Sequence, residues 1–421
     1  MTKLLILLVF LIILNHCSFD TRSGIWTQEK KIDEIAEKKI DTKKLFKKIN
    51  VNNEELNPDL RIELINNFGF NEFKVEKISK YKFKKIKYFD QFEPELVFYN
   101  EDVIFFDKDG SIIRFDDNSN IIWKVNYYSK REKKIRPILK ISKYKDKLLI
   151  TDSLAQFYLI EINSGELIWK SDHETTFVSE IKIDKDMFYA LDANNSFNSF
   201  SLKNGKKVWS FNSEKVLINS QKQTPIILND NLVTFINSKS EMITLDKKSG
   251  DLIWLTSTIT FNETFQSYLI KNSNLSLENK NIYFSNNNNK FFSVNSEKGF
   301  INWTQNINSS LKPFIINDFV LTVSTNGYLY IINKNSGEII RITNILKSFK
   351  FKKRKTININ GFVVAKKQMY ISTNKGHLIV VNLENGLEEK VFRISRDNLS
   401  KPYINNDRLY LIKDDSIIKL K

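Results

Sequence analysis

Few residues in this chain have the types and spacing for covalent or metal chemistry. Among 421 residues there is one cysteine, Cys17, and three histidines, His16, His173 and His377. The histidines fall in different parts of the chain, which argues against a His-rich metal site. Asp107-Lys108-Asp109-Gly110 has the look of a calcium loop. It lacks the spaced acidic residues and the final Glu such a loop needs, so a hairpin turn is expected there. No Gly-x-Ser-x-Gly, phosphate loop or zinc spacing occurs. The one group left with a clear chemical fate is the Cys17 thiol. No catalytic residue, cofactor-binding residue or metal ligand is expected.

The elements around Cys17 say what that fate is. Lys3 is followed by Leu4 to Leu14, an unbroken apolar run of eleven residues. Such a run suits a secretory signal and is too short to span a bilayer. A sole cysteine just behind it resembles the lipobox of bacterial lipoproteins, in which the thiol is acylated and becomes the mature N-terminus. Leu14 fits the aliphatic position, whereas Asn15 and His16 replace the usual small residues. Ser18 after the cysteine, by resemblance to lipoprotein sorting rules, favours the outer membrane. Residues 1–17 are therefore expected to be a lipoprotein-type signal peptide, with Cys17 the lipidation site.

Residues 18–72 are expected to be a polar, partly helical tether that lets the rest of the chain stand off the membrane. Ile32, Ile35, Ala36 and Ile40 have helical spacing, Asn57-Pro58 breaks the pattern, and Leu60, Ile62, Leu64, Ile65 and Phe68 form a second weak cluster. The net charge is +16 with a pI near 9.4. It is spread over the whole chain, whereas a nucleic-acid patch should be local and interleaved with aromatics. No nucleic-acid partner is expected. The basic surface favours anionic lipid or an acidic partner. The basic stretches Lys130-Arg131-Glu132-Lys133-Lys134 and Lys350 to Lys355 read as solvated loops between repeats.

Residues 73–421 are organised by a repeat. Gly165 and Trp169, Gly205 and Trp209, Gly250 and Trp254, and Gly299 and Trp303 share a Gly-x-x-x-Trp spacing. Trp123 ends a related copy with Ser119 at the Gly place. Gly337 and Gly386 begin copies that end in Arg341 and Lys390. Successive Trp residues lie 46, 40, 45 and 49 positions apart, a period that means a solenoid, a propeller or an array. Hairpin signals such as Asn326-Gly327 precede each Gly, and Pro137, Pro225, Pro313 and Pro402 introduce a further strand. About four short antiparallel strands per period make a propeller blade. Runs such as Tyr328 to Ile332, apolar at every position, fit central strands covered on both faces, and each Trp is read as a wedge between blades. The last fragment, Pro402 to Leu420, lacks a fourth strand, which an N-terminal strand near Lys80 to Phe89 is expected to supply. The expected fold is an all-β, eight-bladed propeller, with seven blades the alternative if the ends pair differently.

Leu245-Asp246-Lys247-Lys248-Ser249-Gly250-Asp251-Leu252-Ile253-Trp254 resembles the pyrroloquinoline quinone (PQQ)-type propeller repeat, and the resemblance covers about residues 90–421. Quinoprotein dehydrogenases with this repeat hold their cofactor with adjacent disulfide-bonded cysteines, a Trp platform, an acidic base and calcium ligands. The cysteine pair is absent here. Signal, tether and propeller together resemble the BamB family, the propeller lipoproteins of the outer-membrane β-barrel assembly machinery. That resemblance implies a non-catalytic periplasmic scaffold, lipid-anchored to the outer membrane, without cofactor and monomeric outside its complex. Its partner would be the barrel-forming subunit of the machinery. The chain departs from the family in its longer tether, its basic charge and its two units without Trp. The alternatives are a PQQ-dependent, quinoprotein-type dehydrogenase or a scaffold of another envelope complex. The partner-binding residues expected from the resemblance and from apolar side chains in inter-blade loops are Val216, Leu217 and Ile218 after the Trp209 strand, and Phe261, Phe265 and Tyr268 after the Trp254 strand.

Overall fold

The computed structural model describes residues 68–69, 72–86, 93–220, 222–259 and 267–421. Cys17, the signal-like segment and all of the expected tether before Phe68 lie outside the described residues, as do Phe261 and Phe265.

Eight antiparallel sheets follow one another along the chain and make an eight-bladed propeller. Blade 1 spans residues 97–125, blade 2 139–172, blade 3 182–212, blade 4 226–257, blade 5 276–305, blade 6 314–344 and blade 7 359–393. Blade 8 takes three strands from residues 403–420. Its fourth and outermost strand is Lys77–Lys82, antiparallel to Ser416–Leu420 with Lys80 opposite Ile418. The amide of Val75 donates to Lys421 O at 2.7 Å and that of Lys421 to Glu76 O at 2.9 Å. The N-terminal strand thus closes the ring, and the count of seven is excluded. Closure completes blade 8 and leaves only the short outer edge that every blade presents. One sheet gains a fifth, two-residue strand: Phe68–Gly69 lies parallel to Val364–Ala365 on the innermost strand of blade 7. These two residues fall within the segment expected to be tether.

The continuous apolar runs are the middle strands. Leu148 to Ile150, Phe157 to Ile160 and Leu329 to Ile332 are buried throughout because each faces a neighbouring blade on either side. Aromatic contacts tie neighbours together; Phe197 of blade 3 stacks on Phe235 of blade 4 at 4.0 Å between centroids. The turns explain the repeat's polar letters. Asp246 Oδ1 accepts from the amides of Lys248 and Ser249 at 2.8 and 2.9 Å, and the Asn295, Asn333 and Asn382 side chains do the same in their own turns. These Asx turns need an Asp or Asn at that place. Gly follows because the turn passes through positive φ, +80° at Gly250. Asp107 to Gly110 is a hairpin turn of the same sort. Asp107 accepts from the amides of Asp109 and Ser111 at 3.0 and 3.1 Å and pairs with Lys124 at 2.7 Å.

The Trp residues join successive blades. The indole N–H of Trp123, Trp169, Trp209, Trp254 and Trp303 donates to Ile162, Leu202, Lys247, Ser296 and Lys334 O of the following blade, at 2.9 to 3.1 Å. In each case the Gly of that following blade lies against the indole. All five sit on the outermost strand of their blade; Trp254 is buried there and the other four are half-buried. Two of the units without Trp use another side chain. Arg341 donates to Glu384 O and lies against Gly386, and Tyr81 of blade 8 donates to Asp117 O of blade 1. In every blade the pairing of the two outer strands slips by one residue near the Trp position. A bulge there bends the exposed edge and makes it a poor template for another chain.

Candidate functional site

Since all blades run the same way, the connections between blades and the turns between middle strands share one rim. The other turns make the opposite rim. The innermost strands begin at the first rim, and their first residues converge on the axis around a cavity of about 280 Å³. No single blade builds this mouth. Glu93 and Glu95 come from blade 1, Lys140 from blade 2, Glu180 and Lys182 from blade 3, Lys222 from blade 4, Asn274 from blade 5, Lys312 from blade 6, Asn360 from blade 7 and Lys401 from blade 8.

Most of these charges are spent on one another or on backbone carbonyls. Lys401 pairs with Glu95 at 3.1 Å, Lys222 with Glu93 at 3.4 Å, and Lys182 with Glu180 at 3.5 Å. Glu180 also accepts from the Asn274 amide and from the Ile226 N–H. Against the desolvation of the crowded mouth, Lys401 holds the Glu95 carboxyl below its ordinary range. Desolvation would lower the Lys401 amine, but Glu95, Tyr403 and Glu93 outweigh it and raise the group.

Lys140 is different. Its amine donates to Phe177 O and Ser179 O at 2.9 and 3.1 Å, and burial pulls it down to about 8 although Glu95 and Glu180 oppose the shift. A base with a depressed folded-state pKa binds fewer protons than in the unfolded chain over the window between the two values. The penalty is full below about pH 8 and is relieved as pH rises toward the ordinary lysine value near 10.4. Relative to Lys140→Met, the wild type should therefore gain on the order of 2–3 kcal/mol of stability across that window. Denaturant titrations of both proteins at several pH values check this, and parallel profiles would contradict it.

A flat quinone needs an aromatic platform and the vicinal cysteines of the quinoprotein dehydrogenases. The lining of the axial mouth includes Phe98, Phe362 and Tyr403 but no Trp, its polar groups are lysine–glutamate pairs and amides, and the sequence has no second cysteine. The residues present do not fit that cofactor. Among the described residues, no three His, Cys, Asp or Glu side chains are grouped to hold a metal ion. His173 Nε2 lies 3.0 Å from Asp192 Oδ2 and the ring stacks on Phe177, while His377 packs edge-on against Phe349.

The predicted rim residues are placed unevenly. Leu217 is 104% exposed and Ile218 55%, while Val216 and Tyr268 are half-buried. The two loops that carry them are joined at their bases, where Ser220 Oγ donates to Ile270 O at 3.1 Å. Asn219 anchors the first loop to Ala193 O of the preceding blade. The charged mouth was not found from the sequence. Its members lie roughly a blade apart, at strand starts that carry no common motif.

Comparison with known proteins follows this geometry. The family described as "Outer membrane protein assembly factor BamB" matches residues 108–343, more than half of the chain. No match is found among curated proteins. Among solved structures, BamB from Moraxella catarrhalis is 12% identical, with a TM-score of 0.67 over 82% of this chain and 100% of its own. The computationally designed Ika8 protein is 10% identical, with a TM-score of 0.62 over 80% and 99%. Quinohemoprotein alcohol dehydrogenase from Comamonas testosteroni is 9% identical, with a TM-score of 0.57 over 82% and 76%. A BamB, a designed protein and an alcohol dehydrogenase share this fold, so the likeness of shape does not choose among their activities.

Proposed function

We propose, on the premise that this chain belongs to the family of the outer membrane protein assembly factor BamB, that it is a non-catalytic scaffold lipoprotein on the periplasmic face of the outer membrane. It docks on the barrel-forming subunit of the assembly machinery and supports insertion of outer-membrane proteins. The observation that carries this reading is the axis. The mouth at which a propeller enzyme would hold a cofactor is lined by Lys401–Glu95, Lys222–Glu93 and Lys182–Glu180 pairs. What remains for function is the loop-bearing rim. The strands are committed to the core, and Leu217 and Ile218 offer the apolar anchors that a docking surface uses.

Residues 18–67 serve as the tether between the propeller and an acylated Cys17. Changing Cys17→Ser and fractionating the envelope tests the anchor. The variant should leave the outer-membrane fraction and lose the mass of the acyl groups. A variant that stays membrane-bound with unchanged mass would remove the lipid anchor from this reading.

A further inference from the structure

Two inter-blade loops on the axial-mouth rim are folded into short basic helices, each with one large apolar side chain held out in solvent. The first, α1 (Lys130–Ile135), joins blades 1 and 2. Lys130, Arg131, Lys134 and Arg136 are exposed there, and Ile135 is 61% exposed. The single acid of the segment, Glu132, is half-exposed and has both carboxylate oxygens engaged locally. It accepts from the Ser129 N–H at 2.7 Å in a capping box and from the Gln156 amide at 2.8 Å. The second helix, α2 (Phe351–Arg354), joins blades 6 and 7. Lys347, Lys350, Lys352, Lys353 and Lys355 are exposed around Phe351, which is 50% exposed with the Lys355 ammonium 5.0 Å from its ring centroid, and no acid interrupts the run. Arg354 fixes this loop by donating to Phe349 O and Lys347 O at 2.8 and 2.7 Å.

A solvated loop has no need to hold an isoleucine or a phenylalanine in water among lysines on an ordered backbone. Like charges on a short segment repel, and the apolar side chain loses by exposure. Both costs are reversed at one kind of surface, an anionic bilayer. Its phosphates attract the lysines and its interfacial zone takes the side chain. The placement agrees. On the ring, the α1 and α2 connections lie on either side of blade 8. The connections bearing Leu217 and Tyr268 adjoin blade 4, diametrically across. The same rim thus has separate halves for a membrane and for a protein partner.

We propose that the α1 and α2 loops of this rim dock on an anionic phospholipid surface, with Ile135 and Phe351 entering the headgroup zone. The proposal rests on the chemistry of the rim and does not require the barrel-forming partner. Its test uses the full chain and bare vesicles, either of phosphatidylcholine or of an equimolar mixture with phosphatidylglycerol. An N-terminal acyl or apolar anchor binds both lipids, so the reading is the difference between them. The wild type should prefer the anionic vesicles by roughly tenfold or more, and the preference should collapse with added salt. Reversing charge in Lys130→Glu, Arg131→Glu, Lys352→Glu and Lys353→Glu together should abolish the preference without lowering the melting temperature. Ile135→Ala with Phe351→Ala should weaken binding several-fold while the salt dependence persists. A wild type indifferent to lipid charge would overturn the proposal. So would charge-reversed protein that keeps its preference, since the basic tether would then be responsible. Retention on soluble polyglutamate with vesicles ignored would reassign the surface to an acidic protein and equally overturn it.

Discussion

Trp254→Ala is expected to be the most destabilising single change on the outer strands, by about 3–5 kcal/mol. Trp254 is the most enclosed of the five repeat tryptophans, at 9% exposure. Its indole donates to Ser296 O at 3.1 Å, and a Cβ added at Gly299 would stand 2.6 Å from its ring. Truncation removes the ring that seals blade 4 against blade 5 and leaves the Ser296 carbonyl without that donor. Gly299→Ala attacks the same joint from the other side. The residue sits at φ +74°, where alanine is strained, and its methyl would strike the indole. A loss of about 2–4 kcal/mol is expected. Because the two residues form one contact, the double variant should lose clearly less than the sum. Denaturant unfolding of the wild type, both single variants and the double gives the answer. Additive losses would show that the Gly and the Trp act separately.

The second large effect concerns binding. Leu217 and Ile218 project into solvent on a loop whose base is pinned through Asn219 and Ser220. A pinned backbone has little ordering cost left on docking, and apolar anchors on such a loop concentrate interface energy. Leu217→Ala should weaken capture of the barrel-forming subunit by about 2 kcal/mol, roughly thirtyfold in affinity. Ile218→Ala should cost somewhat less, being partly covered already. Neither should lower the melting temperature noticeably, because surface truncations stay within about 0.5 kcal/mol. A drop in melting temperature with unchanged capture would assign the loop to blade packing.

How much of this was readable in the sequence depends on whether one residue type could do the job. The Gly-x-x-x-Trp spacing was legible because a positive-φ turn and a flat indole admit few substitutes. Closure by an N-terminal strand was legible because the last fragment lacked its fourth strand. Where a different residue fills the same role, the pattern disappears. Arg341 stands in for Trp against Gly386, and Tyr81 donates across to Asp117. Neither can be recognised without the facing carbonyl. The outer strand was also opaque. Leu167 and Ile168, or Leu252 and Ile253, look like core residues in the sequence yet are exposed, because only one face of that strand meets a neighbour. The axial mouth is the extreme case. Its lysines and glutamates come from six blades and its asparagines from the other two, and only ring closure brings Glu95 to Lys401, 306 positions away.

The central claim is that this propeller is an assembly scaffold. The direct measurement is affinity capture of the full chain from solubilised envelopes, with identification of what co-purifies, beside the Leu217→Ala, Ile218→Ala double variant. The account predicts the barrel-forming subunit of the assembly machinery in stoichiometric amount with the wild type and its near-complete loss with the variant. Capture of a different envelope complex, or recovery of the chain alone with bound quinone and dye-linked alcohol oxidation, would contradict it.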